Sequence, residues 1–166
     1  MSRSTVRDQD RARRPPSERW TTGSEEETLA LGSRLAARLR PDRVLLLEGP
    51  MGAGKTVLTR GIAGALGIDP REIQSPTFTL VHHHRGAGGG ELVHLDLYRL
   101  SPEEVAGLGI DEILAGPGVK VVEWAECLPD PPADALRVVA RSRRSGRREF
   151  ELTAGRDAPV DERSGG

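Results

Sequence analysis

The segment Gly49-Pro-Met-Gly-Ala-Gly-Lys55-Thr56 satisfies G-x-x-x-x-G-K-[ST] at every fixed position, and it constrains the fold of this chain more than any other feature. Glycines in such a loop let backbone N–H groups turn toward phosphate oxygens with no Cβ in the way. The helix that leaves the loop adds partial positive charge at its N-terminus. A buried strand must therefore enter the loop and a helix must follow it. Arg43 to Glu48 contains Val44-Leu-Leu-Leu47, an apolar run suited to a strand covered on both faces. A helix from about Gly54 to Leu66 follows, stopped by Gly67 and Pro70. The segment reads as a nucleoside-triphosphate site. Gly49, Met51, Gly52, Ala53 and Gly54 line the phosphates, Lys55 reaches the β- and γ-phosphates, and the Thr56 hydroxyl binds Mg²⁺. Only Lys55 and Lys120 among the 24 basic residues are lysines, and a compact ammonium at this position is one that arginine replaces only at a cost.

The rest of the chain alternates helix and strand signals. Ser24-Glu-Glu-Glu27 has capping-box spacing, and Leu29, Gly32, Leu35, Ala36 and Leu39 share a helical face, which predicts a helix over 25–39. Phe78 to His83 and Glu91 to Tyr98 read as strands joined by the flexible Arg85-Gly-Ala-Gly-Gly-Gly90 connection. Ser101-Pro102 starts another helix, Val119 to Glu123 is a second buried strand, and Leu136–Arg141 with Arg147–Leu152 form a hairpin around Ser145-Gly146. The expected fold is α/β: a small three-layer domain of P-loop NTPase type, with a mixed sheet and a C-terminal β-hairpin. Residues 1–19 hold six arginines against three acids and two adjacent prolines, so residues 1–21 are expected to be a disordered tail. The domain is assigned to 22–153 and a second disordered tail to 154–166.

Composition excludes several classes. A chain of 166 residues fits one domain with tails. Its longest apolar run, Val44 to Leu47, is far below the roughly 18 residues of a membrane helix. No apolar stretch follows the N-terminal arginines, so no secretory signal is expected. The single cysteine, Cys127, excludes an internal disulfide framework, fits a reducing cytoplasm, and has no companion that would make it a nucleophile. A net charge of −1 argues against nonspecific wrapping of nucleic acid.

A magnesium–nucleotide site also needs an acid at the carboxyl end of a neighbouring strand. Leu92-Val-His-Leu-Asp96 and Val119-Lys-Val-Val-Glu123 each end in one. In the first strand His94, Asp96 and Tyr98 share a face. Asp96 reads as a metal-shell or water-orienting acid, or else a plain strand-end carboxylate; Glu123 has the same two readings. Spacing does not decide which of them touches the ion directly.

Gly52-Ala-Gly-Lys-Thr56, Ser75-Pro-Thr-Phe-Thr-Leu80, His94-Leu-Asp-Leu-Tyr-Arg-Leu100 and Glu123-Trp124, in this order and spacing, resemble the bacterial tRNA threonylcarbamoyladenosine biosynthesis ATPases, the TsaE (YjeE) family, over about residues 22–152. The resemblance implies a minimal P-loop ATPase using ATP and Mg²⁺. It would be an enzyme that acts with TsaB- and TsaD-type proteins to place threonylcarbamoyl on the adenosine beside the anticodon, with tRNA contacted indirectly and no membrane involved. Thr56 and Glu123 would surround Mg²⁺, and Asp96 would be the Walker B-like acid. Lys55, Asp96 and Glu123 would carry catalysis. Glu25 and Arg147 match positions that contact nucleotide in the family, against the alternative of ordinary surface charges. Ser75, Pro76, Thr77 and Phe78 resemble a switch-like loop whose Thr77 senses the γ-phosphate, against the alternative of a tight turn entering a strand. Tyr98, Arg99 and Trp124 would flank the site or face a partner, although a core tryptophan fits Trp124 as well.

Where relatives usually carry a tyrosine, this chain has His82-His83-His84. Consecutive strand residues face opposite ways, so the triplet reads as drift in an exposed hairpin before it reads as a metal site. Arg137 to Arg148 hold six arginines and no acid. They are a basic surface for tRNA phosphates or an acidic partner, or simply solvated strand faces. Two rival functions remain on the sequence alone: a nucleotide-gated binding module without turnover, and a small-molecule kinase. The kinase lacks any segment long enough for a lid.

Overall fold

The computed structural model describes residues 17–39, 42–75 and 79–154. Seven strands form one sheet: β1 (Ser17–Thr22), β2 (Val44–Glu48), β3 (Val81–Arg85), β4 (Glu91–Asp96), β5 (Val119–Glu123), β6 (Leu136–Ser142) and β7 (Arg148–Ala154). Their order across the sheet is β1-β7-β6-β2-β5-β4-β3. The central β6, β2, β5 and β4 are mutually parallel, whereas β1, β7 and β3 join antiparallel at the edges. The sheet is mixed, as expected.

Two longer helices, α1 (Glu25–Ala36) and α2 (Lys55–Ala65), cover one face through Leu31, Leu35, Leu58 and Ile62. The short helices α3 (Pro102–Ala106) and α4 (Ile110–Ala115) cover the other through Val105, Ile110 and Leu114. Strand β2 shows why its run is apolar throughout: Leu45 and Leu47 enter the α1–α2 core, while Val44 and Leu46 enter the α3–α4 core. The three-layer α/β expectation is met. The Ser24 hydroxyl accepts from the Glu27 N–H, and Ser101 with Glu104 completes a full capping box. Helix α1 ends at Ala36 instead of residue 39, because Arg38 and Leu39 turn back onto the carbonyls of Leu35 and Ala36; Leu39 is still buried. Strand β3 starts at Val81, three residues later than the alternation predicts.

The N-terminal boundary needs correction. Residues 17–21 fall in the stretch assigned to a disordered tail, yet with Thr22 they form edge strand β1 against β7, with Trp20 opposite Phe150. Main-chain pairing places this strand, not an apolar face. Only Thr22 is fully buried, its hydroxyl 2.8 Å from that of Thr28. The guanidinium groups of Arg34 and Arg38 each lie 6.0 Å from the centre of the Trp20 ring. At the other end, Ala154, the first residue assigned to the second tail, closes β7, and the rest of that tail lies outside the described residues.

Lys120 is 0% exposed and reaches away from the phosphate loop, donating to the carbonyls of Asp42 and Gly116. It ties the connection entering β2 to the connection entering β5. Burial lowers its pKa below the ordinary lysine value of 10.5, against the pull of Asp42 and Asp134. Lys120→Met should cost about 1–3 kcal/mol in urea unfolding at neutral pH, because two carbonyls lose their donor. The folded-state pKa is depressed, so below 10.5 the unfolded chain holds more protons, and this lysine's contribution increases as pH rises through the folded pKa toward 10.5. The stability gap between parent and variant should therefore widen on going alkaline. A gap that narrows would reject this account.

Candidate functional site

The carboxyl ends of β2, β4 and β5 lie together, where an open α/β sheet offers a crevice. Residue 48 ends β2, the loop runs over 49–54, and α2 begins at Lys55 with no side-chain cap on its first turn. Gly54 makes the transition at φ 99°. Gly49 has φ 132°, and a Cβ there would stand 2.2 Å from the Ala140 carbonyl oxygen, so only glycine lets the loop pass β6. Met51 is 68% exposed at the loop tip, while Ala53 and Gly54 are buried.

Lys55 is only 5% exposed. Its ammonium donates to the Gly49 carbonyl and, at 3.0 Å, to the Pro50 carbonyl, and stands 4.2 Å from the centre of the Trp124 ring. Burial pushes its pKa below 10.5, with Glu123, Glu126 and Asp96 pulling the other way. Trp124 follows β5 in the left-handed region at φ 57°, unusual for so bulky a residue. Its ring stacks on Tyr98 at 4.9 Å, and Arg99, itself at φ 72°, lies over Tyr98 at 5.2 Å. The three residues that the sequence singled out as flanking form one stack ending on Lys55.

The two carboxylates have different surroundings. Glu123, 2% exposed, accepts from the Thr56 hydroxyl at 3.2 and 3.3 Å on its two oxygens. The Thr59 hydroxyl is 3.4 Å from Oε1, and His94 Nε2 is 2.9 Å from it. Asp96 lies opposite Glu123 in the ladder but accepts from the Ser75 hydroxyl and the Tyr98 N–H, both at 2.8 Å. Asp96 therefore ties the start of the 75–80 loop to the turn after β4. Pro76, Thr77 and Phe78 lie outside the described residues.

Glu25, first in α1, sits 3.7 Å from Arg60 of α2, one turn beyond Thr56, and Arg60 also donates to the Ile73 carbonyl at 3.0 Å. Arg147 is exposed in the hairpin turn, where its carbonyl accepts from Arg143 N–H. The arginine against the loop is its neighbour: a Cβ on Gly54 would stand 2.9 Å from Arg148 Cδ and 3.3 Å from Nε. Alternation along a strand separates the two arginines, and the sequence offers no signal for which one turns inward. Ser142 Oγ, 3.4 Å from the Gly52 carbonyl, also joins the hairpin to the loop. Half of the six arginines in this segment are paired with acids: Arg137 with Glu48, Arg141 with Glu151 and Arg143 with Glu149. These acids lie outside the run that looked purely basic. Among the described residues no group of three or more His, Cys, Asp or Glu side chains is placed to hold a metal ion. Thr59 and His94 join the site beside Glu123; His94 shares a strand face with Asp96 in the sequence, whereas nothing in the sequence singles out Thr59.

The profile described as Threonylcarbamoyl adenosine biosynthesis protein TsaE matches residues 22–150. The tRNA threonylcarbamoyladenosine biosynthesis protein TsaE of Bacillus subtilis is 41% identical over 137 residues, covering 82% of this chain and 85% of that protein. Its counterpart in a Nostoc species is 41% identical over 133 residues, covering 78% and 81%. The crystal structure of Bacillus subtilis YdiB superposes with a TM-score of 0.68 at 36% identity, covering 85% of this chain and 87% of that one. With its profile, its relatives and its sheet in agreement, the chain belongs to the TsaE family of threonylcarbamoyl adenosine biosynthesis proteins.

Proposed function

We propose that this protein is a Mg²⁺-dependent ATPase of tRNA threonylcarbamoyladenosine formation. It acts on a partner complex of TsaB- and TsaD-type proteins in the cytoplasm, with tRNA met through that complex. The observation that carries the reading is the convergence of Lys55, Thr56 and Glu123 at the mouth of a glycine loop. The residues present fit the ligand. The uncapped start of α2 leaves backbone N–H groups for phosphate oxygens, and Lys55 supplies a fixed ammonium. Thr56 and Glu123 offer hard oxygen donors of the kind magnesium takes. Bound magnesium would neutralise charge on the transferred phosphoryl group. Glu123 is the carboxylate beside Thr56, so it is assigned to the ion. Asp96 is assigned to coupling the 75–80 loop to the site, and Arg148 is favoured over Arg147 as the arginine nearest the phosphates. Among the described residues no helix is long and apolar enough to cross a membrane.

Phosphate release, with and without TsaB- and TsaD-type proteins and tRNA, tests the proposal. Partner-stimulated release is expected. Glu123→Ala and Asp96→Ala should each slow it by about 100-fold while leaving ATP affinity within about tenfold, the pattern of interactions made mainly in the transition state. Phosphate appearing on an added small molecule would replace the proposal with a kinase, and tight binding with no turnover would replace it with a nucleotide-gated module.

A further inference from the structure

The hydrogen-bond count around Glu123 does not close with the loop and α2 alone. Thr59 has one hydroxyl proton, and its shorter contact, 3.0 Å, is to the Lys55 carbonyl one turn back, leaving little for the carboxylate at 3.4 Å. Thr56 shares its single proton between both carboxylate oxygens, and its own oxygen is the atom assigned to the cation. Among the described residues the remaining donor is His94. A carboxylate only accepts, so the proton in the 2.9 Å contact sits on Nε2. The ring is 0% exposed, and Nδ1 meets no partner among the described residues. An unpaired buried nitrogen is costly, and an apolar side chain would fill the same space without that cost. Among the described residues the imidazole's one polar contact is with Glu123.

We infer that His94 is a positioning residue that holds Glu123 Oε1, so that the carboxylate presents a fixed oxygen beside Thr56 to the nucleotide-bound cation. The inference rests on the magnesium–nucleotide reading above. Neither the helix backbone nor the cation competes for the imidazole N–H, so this contact persists when the site is loaded. Neighbouring His82 lies opposite His94 in the ladder, and His84 lies two residues along, but neither bonds to Glu123.

The test is binding of a fluorescent ATP analogue, titrated with MgCl₂ or measured in EDTA. In His94→Leu the EDTA affinity should stay within about twofold of the parent, while the Mg²⁺ concentration giving half the maximal effect rises at least about tenfold, the loss expected when an outer partner of a metal ligand goes. His94→Gln, whose amide nitrogen reaches to where Nε2 lies, should recover most of that shift. If His94→Leu does not fold, His94→Asn, polar but too short to reach Oε1, takes its place. An unchanged Mg²⁺ midpoint, a parallel loss in EDTA, or a Gln variant as impaired as Leu would each overturn the inference. Lys55→Ala separates the two failures. If that variant binds the analogue like the parent, the nucleotide reading itself falls. If it loses binding while His94→Leu keeps the parent's Mg²⁺ midpoint, only the role of His94 falls.

Discussion

Lys55→Ala is expected to abolish tight ATP binding, with affinity falling at least about 100-fold by fluorescence or calorimetric titration. The magnitude follows from what the ammonium does. It is nearly buried, held by the Gly49 and Pro50 carbonyls, and aimed across the loop mouth under the Trp124 ring. Its solvation is already given up in the fold, and its pKa is lowered by that burial. A charge-assisted contact to phosphate is worth about 1.5–3 kcal/mol, and losing one or two of them gives a drop of this size. Lys55→Arg should not restore binding. A planar guanidinium needs more room than the pocket formed by two carbonyls and an indole face. The same geometry predicts that ATP draws the ammonium away from Trp124, so nucleotide should change tryptophan emission in the parent and not in the alanine variant. Parent-like affinity in Lys55→Ala would remove the basis for assigning nucleotide to this loop.

The parts of this site legible in the sequence were those whose chemistry leaves a local mark. Gly49 to Thr56 is a contiguous loop, and both faces of β2 and β5 are covered, so β2 is a continuous apolar run and β5 is one broken only by Lys120. Asp96 and Glu123 stand out as acids at the ends of such runs. What was not legible depends on contacts between distant segments. Strand β1 carries no apolar alternation, because it is an edge strand held by main-chain bonds to β7 and by charged pairs such as Arg19–Glu151. The different duties of Asp96 and Glu123 follow from Ser75 reaching one and Thr56 the other, and spacing along either strand contains neither fact. Arg147 and Arg148 are adjacent and chemically identical, so only the strand's rotation decides which faces Gly54. The basic run Arg137 to Arg148 is also halved in three dimensions, since acids from β2 and from the return strand β7 pair with three of its six arginines.

A large effect on stability is expected at the crossing of α1 and α2, where Gly32 and Gly61 bring two backbones into contact. A Cβ on Gly61 would lie 2.2 Å from the Leu29 carbonyl oxygen, and one on Gly32 would lie 2.3 Å from that of Leu58. Neither obstacle is a flexible side chain, so relief requires the helices to part. Parting them opens the core that Leu31, Leu35, Leu58 and Ile62 fill, and stretches the Ser33 hydroxyl from the Gly61 carbonyl at 3.1 Å. Overpacking of this kind costs about 3 kcal/mol, against about 1 kcal/mol regained from alanine's better helix propensity. Gly61→Ala should therefore lose about 2 kcal/mol net and lower the Tm by roughly 5–10 °C. Gly64→Ala, the same change one turn later on the exposed side, meets only the Pro70 ring at 3.3 Å and should be nearly neutral. The two glycines should also be strongly non-additive: once Gly61→Ala has spread the helices, adding Gly32→Ala costs less than it does alone. Because α2 begins at Lys55, the spread should also weaken nucleotide affinity, linking a stability defect to the site. Equal, additive losses at positions 32 and 61 would mean that the crossing relaxes locally without moving α2.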